Sequence, residues 1–186
     1  MSAASLEYAR RVDPWTAFAC GAAEQLPYAA GTFDLCYCHF LLLWLPNPLA
    51  ALGEMRRVTR RGGSVLALAE PDYGGRIDYP DELAPLGDWQ RQALERQGAD
   101  SHLGRKLGAL FGQAGLRKVE TGVLGGRWGA PLPAADLAAE WNVLQADLDG
   151  TVPMARLQEL HDRDAAAWRR GERILFVPTF YASGQT

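Results

Sequence analysis

The chain has 186 residues, a length suited to one domain, and is 48% hydrophobic and 22% charged, which fits a folded globular protein and not a disordered one. Its 19 basic and 22 acidic residues leave a net charge of −3; this is neither the basic footprint of a nucleic-acid binder nor an acidic tail. Cys20, Cys36 and Cys38 are too few for a disulfide scaffold, and Met1–Val12 lacks the apolar core of a signal peptide, so the expectation is a reduced, cytoplasmic chain with no membrane span.

In chain order, Leu6, Ala9 and Val12 give Ser5–Val12 helical spacing, Thr16–Cys20 is a short strand candidate, and Ala22–Thr32 is a loop. The apolar run from Leu35 to Leu45 stops at Pro46-Asn47-Pro48; it is too short for a bilayer, which needs about 20 apolar residues, and predicts a buried strand over Phe33–Phe40. Asn47 is placed to cap a helix with Pro48 at its first position. Leu49, Leu52, Met55 and Val58 form its apolar stripe, arginines 56, 57, 60 and 61 suit its carbonyl end, and Gly62-Gly63 closes it. Ser64–Ala69 is a strand without alternation, as in a sheet covered on both faces, and the polar turn Glu70–Gly75 follows.

Helical spacing returns at Leu86, Trp89, Ala93 and Leu94, and again from Ser101 through Leu103, Leu107, Leu110 and Phe111. Leu116–Leu124 reads as a strand, Pro133–Leu148 and Pro153–Arg170 as helices, and Arg173–Tyr181 as a last strand made irregular by Pro178. Strands alternating with helices predict an α/β fold, a mostly parallel sheet with helices on both faces. Ligands of such sheets bind beyond the carboxyl ends of the strands. That rule singles out Gly21–Gln25, Cys38–Leu41 and Glu70–Tyr73.

No two of the 20 glycines are separated by a single residue, so no G-x-G is present, which excludes a dinucleotide fingerprint within this chain; no Walker A loop and no G-x-S-x-G nucleophile elbow is present either. Cys36-x-Cys38-His39 has the residue types of a metal site, but a strand points both cysteines one way and His39 the other, so packing is the better account and no metal is expected. His39, at the strand end, reads either as a site contact or as a buried hydrogen-bonded imidazole. Glu70, Asp72 and Asp78 read as a ligand-facing acidic group or as a solvated turn. Gly104, Gly108 and Gly112 make a smooth helix face for close packing, and His161-Asp162 falls on the polar side of its helix.

Read together, Gly21-Ala22-Ala23-Glu24-Gln25-Leu26-Pro27-Tyr28, Thr32-Phe33-Asp34-Leu35, Leu43-Trp44-Leu45-Pro46-Asn47-Pro48, Glu54-Met55-Arg56-Arg57-Val58, Arg61-Gly62-Gly63 and Glu70-Pro71-Asp72 resemble class I S-adenosylmethionine-dependent methyltransferases, in their ubiquinone-biosynthesis-like small-molecule branch. The resemblance implies a Rossmann-like seven-stranded sheet, of which this chain would hold a partial version with an antiparallel C-terminal strand. Residues 1–75 would be the cofactor-side core and residues 76–186 a helix-rich part with the last two strands, all in one domain. It implies S-adenosylmethionine as cofactor, with Ala22, Ala23 and Glu24 at the adenine turn and Cys38, His39 and Phe40 beside the cofactor. Glu70, Asp72 and Tyr73 would face a small-molecule acceptor.

Two departures stand out. Ala22 replaces the acid that would accept from the adenine amino group, and the first two strands of the family, with their glycine-rich loop and ribose-binding acid, have no counterpart. The expectation is an N-terminally truncated domain whose missing pieces lie before Met1. Omitting two strands opens a gap of more than about 10 Å, so Thr16–Cys20 should pair directly with Phe33–Phe40, detach, or meet a partner chain or a second copy along the exposed edges. The functional expectation is methyl transfer to a small organic acceptor; the alternative is a non-catalytic remnant serving interaction or dimerisation.

Overall fold

A computed structural model describes residues 3–125 and 134–186. Pro133, the expected start of a late helix, lies outside them. The regular elements are α1 (Ala3–Val12), β1 (Phe33–His39), α2 (Pro48–Val58), β2 (Thr59–Pro71), β3 (Ile77–Tyr79), α3 (Ala84–Arg96), α4 (Leu107–Gln113), β4 (Arg117–Leu124), α5 (Ala134–Leu148), α6 (Met154–Arg170), β5 (Ile174–Phe176) and β6 (Thr179–Gln185).

The main sheet has the order β1-β2-β6-β4. β1 runs parallel to β2, and β6 runs antiparallel to both β2 and β4, so three strands point one way and the C-terminal strand points back. This is the expected α/β class with a parallel-dominated sheet. Register sets Cys38, Ala67, Ala182 and Thr121 in one row across the four strands. The first three are buried small residues, and their row lets α2 and α4 pack closely through Leu52, Met55, Leu107 and Phe111.

Among the described residues α2 and α4 cover the Cys36/Cys38 face, while Leu35 and Tyr37 on the opposite face are 49% and 64% exposed. The outer edge of β1 is unpaired among the described residues. Of the three outcomes open to Thr16–Cys20, direct pairing with β1 is not the one adopted. The segment is exposed and forms no strand, and its first residue turns back to Asp13, whose carboxylate accepts from the backbone N–H groups of Trp15 and Thr16.

α2 forms for the reasons its sequence gives: Asn47 Oδ1 accepts the Ala50 N–H at 3.0 Å and Pro48 occupies the first turn. It ends sooner than expected, at Val58, because Thr59 turns extended and seals the last turn through its hydroxyl to the Met55 carbonyl at 2.7 Å. Arg60 and Arg61 therefore begin β2 and do not close the helix. The predicted last strand is divided at Val177-Pro178: β5 pairs with β3 in a separate two-stranded ribbon, and β6 enters the main sheet. That ribbon, with α3, α5 and α6, encloses a second apolar cluster of Leu83, Leu86, Trp141, Leu148, Leu157 and Leu160.

Candidate functional site

β1 and β2 end side by side, and both ends are bent. Phe40 and Ala69 adopt positive φ angles of +52° and +55°, a region that costs a non-glycine residue about 1–3 kcal/mol and gathers at functional sites. The turn after β1 is held by Glu70. Its carboxylate, fully buried, accepts the backbone N–H groups of Leu41 at 2.9 Å, Leu42 at 3.0 Å and Leu43 at 3.3 Å, the donors that open the 3₁₀ turn Leu42–Trp44. A carboxylate inside protein takes whatever donors reach it, so Glu70 serves the loop in place of the acceptor-facing role expected of it. Asp72 is likewise committed, to a two-pronged ion pair with Arg105 in which Arg105 Nη2 lies 2.7 Å from Asp72 Oδ1. Tyr73 alone of the three faces open space; burial raises its phenol pKa.

The turn Ala22–Tyr28 is positioned from α2. Glu54 accepts the Leu26 N–H at 2.9 Å, Arg57 donates to the carbonyls of Tyr28 and Leu26 at 2.9 and 3.1 Å, and the two side chains pair at 2.6 Å. Hydrogen bonding from Arg57 holds the Glu54 carboxyl below its ordinary pKa. Ala22 is exposed and bridges to Gln25, Ala23 packs on the core, and Glu24 is half-buried. On β1, His39 is exposed, which sets aside the buried-imidazole reading, and Phe40 is partly exposed beside it with ring centroids 6.5 Å apart. Cys38 points instead into the helix-covered core, where burial and then the nearby Glu70 push its thiol up to about 12, so it does not reach the strand-end surface.

Beyond β2 lies a cavity of about 450 Å³ whose wall includes Tyr73, Leu86, Glu140, Trp141, Leu175 and Val177. Its polar side is a relay of buried pairs. Arg76 Nε lies 2.6 Å from Asp78 Oδ2, Arg173 Nη2 2.6 Å from Asp78 Oδ1, Arg173 Nε 2.5 Å from Asp164 Oδ1, and Trp141 Nε1 donates to Asp164 Oδ2 at 2.8 Å. Arg76 also donates to Gln90, whose amide donates to Asp147 at 3.0 Å. The third acid of the expected group, Asp78, is thus buried between two arginines. Two signals for this wall were present in the sequence: Asp164 interrupts the apolar stripe Leu157, Leu160, Ala167, and Arg173 heads an apolar strand. Chain-distant pairing, Arg173 to Asp78 above all, is not visible from spacing.

A methyltransferase-domain family model matches residues 1–67. Curated relatives include a malonyl-[acyl-carrier protein] O-methyltransferase of Pectobacterium atrosepticum, 39% identical over 91 residues covering 49% of this chain and 36% of the relative. Another is a demethylmenaquinone methyltransferase of Lysinibacillus sphaericus, 33% identical over 112 residues covering 53% of this chain and 48% of the relative. Over residues 1–67 the chain is similar to the methyltransferase-domain family. Its matched part spans between a third and a half of the length of these curated relatives. Among solved structures, a methyltransferase from Bacillus halodurans shares the fold with a TM-score of 0.56 at 16% identity, covering 100% of this chain and 80% of that one. Geranyl diphosphate methyltransferase in complex with S-adenosylmethionine does so at 0.53 and 13% identity, covering 99% and 65%.

The similarity to S-adenosylmethionine-dependent methyltransferases implies that cofactor, and part of the residue set expected to meet it is present. The Ala22–Ala23 turn and the Phe40 strand end offer backbone groups and an aromatic face. Neither the glycine-rich loop nor the ribose-binding acid has a counterpart, and Ala22 has no side chain to accept from adenine. Within these residues the expected contacts are those of the adenine side alone. No helix among the described residues is long and apolar enough to cross a membrane.

Proposed function

We propose that this chain supplies the acceptor cavity and the adenine edge of a cytoplasmic methyltransferase that acts on a small organic molecule. The observation that carries this reading is the cavity of about 450 Å³ placed past the carboxyl end of β2, adjoining the segment whose sequence matches the family. Its volume is in the range of small-ligand pockets, and ligands of open α/β sheets sit at that end.

S-adenosylmethionine supplies, when bound, an activated methyl group on a sulfonium. What remains for the protein is alignment and exclusion of water, since methyl transfer depends on geometry more than on acid–base strength. Glu70 fixes the Leu41–Leu43 turn, Glu54 and Arg57 fix the Ala22–Tyr28 turn, and the Arg76–Asp78–Arg173–Asp164 relay makes the cavity wall rigid. Trp141 and Leu86 give the acceptor flat apolar contact, and Tyr73 stands between the cavity and the main core. Calorimetric titration with S-adenosylhomocysteine tests the reading. It predicts saturable binding in the range of about 0.1–1 mM, weakened by Phe40→Asp; absence of heat at millimolar ligand would overturn it.

A further inference from the structure

The wall of the cavity has an uneven distribution of hydrogen-bonding capacity. Arg76, Arg173 and Asp164 are engaged with Asp78 and with one another, so two cations face two anions and neither arginine leaves an uncompensated charge for an anionic ligand. Glu140 on α5 is different: it lines the cavity, exposed as a residue, with no hydrogen bond or ion pair among the described residues. The same lining holds Leu86, Trp141, Leu175, Val177 and Tyr73, and the charged groups within electrostatic reach of Glu140 are Arg76, Asp164, Arg173 and Asp136, the first three already matched in the relay. Among the described residues the cavity therefore presents one carboxyl without a hydrogen-bond partner, on a lining that also offers hydrocarbon and aromatic contact.

Resting on the reading of this cavity as the acceptor site, we infer that it takes an amine-bearing, otherwise apolar molecule, with the ammonium group paired to Glu140. Trp141 and Tyr73 add ring faces on which a cation is favoured. The carboxyl is only partly withdrawn from water on its cavity side, which raises its pKa against the opposing pull of Arg76, and a partly desolvated carboxyl gains from such a partner. A carboxylate or phosphate ligand would meet Glu140 as a like charge and find both arginines already matched.

Three probes of one shape separate the possibilities: tyramine, 4-ethylphenol and 3-(4-hydroxyphenyl)propionate, titrated into the intact chain at neutral pH and followed by calorimetry. The expected result is that tyramine binds at least about tenfold tighter than the propionate, and that Glu140→Gln removes the advantage of tyramine over 4-ethylphenol without weakening 4-ethylphenol itself. Tighter binding of the propionate, or a tyramine to 4-ethylphenol ratio untouched by Glu140→Gln, overturns the inference while leaving the cavity as a site. Failure of all three to bind overturns both this inference and the acceptor-site reading.

Discussion

Among the described residues Glu70 forms no ion pair, and its carboxylate accepts from three backbone N–H groups. Removing the side chain strands those donors in a buried turn, where each unsatisfied group costs about 1–3 kcal/mol. Glu70→Ala should therefore destabilise the protein by about 3 kcal/mol or more, read as a lower urea midpoint, and Glu70→Gln, which keeps one acceptor oxygen for Leu41 and Leu42, by less. A midpoint shift equal for both variants would contradict the assignment. Cys38 gives a second test. Its thiol titrates near 12 when folded against about 9 ordinarily, so between those values the native state holds a proton that the unfolded state releases, and stability falls as pH rises across that window. Native protein at pH 8 should be alkylated by iodoacetamide at exposed Cys20 and protected at Cys38 until it unfolds. The positions of Glu70 and Asp72 after a strand were legible in the sequence. Their partners were not, because Leu41–Leu43 and Arg105 lie 27 to 33 residues away and only the fold brings them together.

Helices and long strands followed from periodicity and capping. The stripe Leu52, Met55, Val58 and the Asn47-Pro48 cap predicted α2, and the apolar residues Leu157, Leu160 and Trp168 marked the helix expected over Pro153–Arg170. The short elements did not. Ile77-Asp78-Tyr79 is too brief to show alternation, and it becomes β3 only because β5, split from β6 at Pro178, comes to lie against it. The ion pairs across this ribbon hold the cavity wall. Arg173→Leu would leave Asp78 without one partner and Asp164 without its guanidinium, and loss of one member of a buried pair costs about 3–5 kcal/mol. Gly87 on α3 makes room for the same wall, since a methyl group there would sit 2.8 Å from Asp78 Oδ2 and 3.1 Å from Arg76 Cδ. Gly87→Ala should cost about 1–3 kcal/mol through overpacking, despite its gain in helix propensity, and a stabilised variant would contradict the described packing.

Over the whole molecule, the family match and the cavity fall in different parts of the chain. Residues 1–67 carry the match, and they build the Ala22–Tyr28 turn, the strand end at Phe40 and most of β2. The cavity is assembled mainly by residues 73–177, where the sequence showed helices and strands but no recognisable site. The two meet only after folding, since β6 returns the last strand of the C-terminal half to β2. The fold class was readable because hydrophobic period and turn residues are local. The cavity was not, because it is made by pairs such as Arg173–Asp78, 95 residues apart.

The central claim is that this chain holds the adenine side of a methyltransferase cofactor site next to that cavity. Saturation-transfer difference NMR with S-adenosylhomocysteine tests it most directly, because it maps which protons of the ligand lie against the protein. The account predicts strong saturation of the adenine protons with little on the ribose and methionyl protons, and loss of the adenine signal in Phe40→Asp. Uniform saturation along the whole ligand, or none at all, would contradict it.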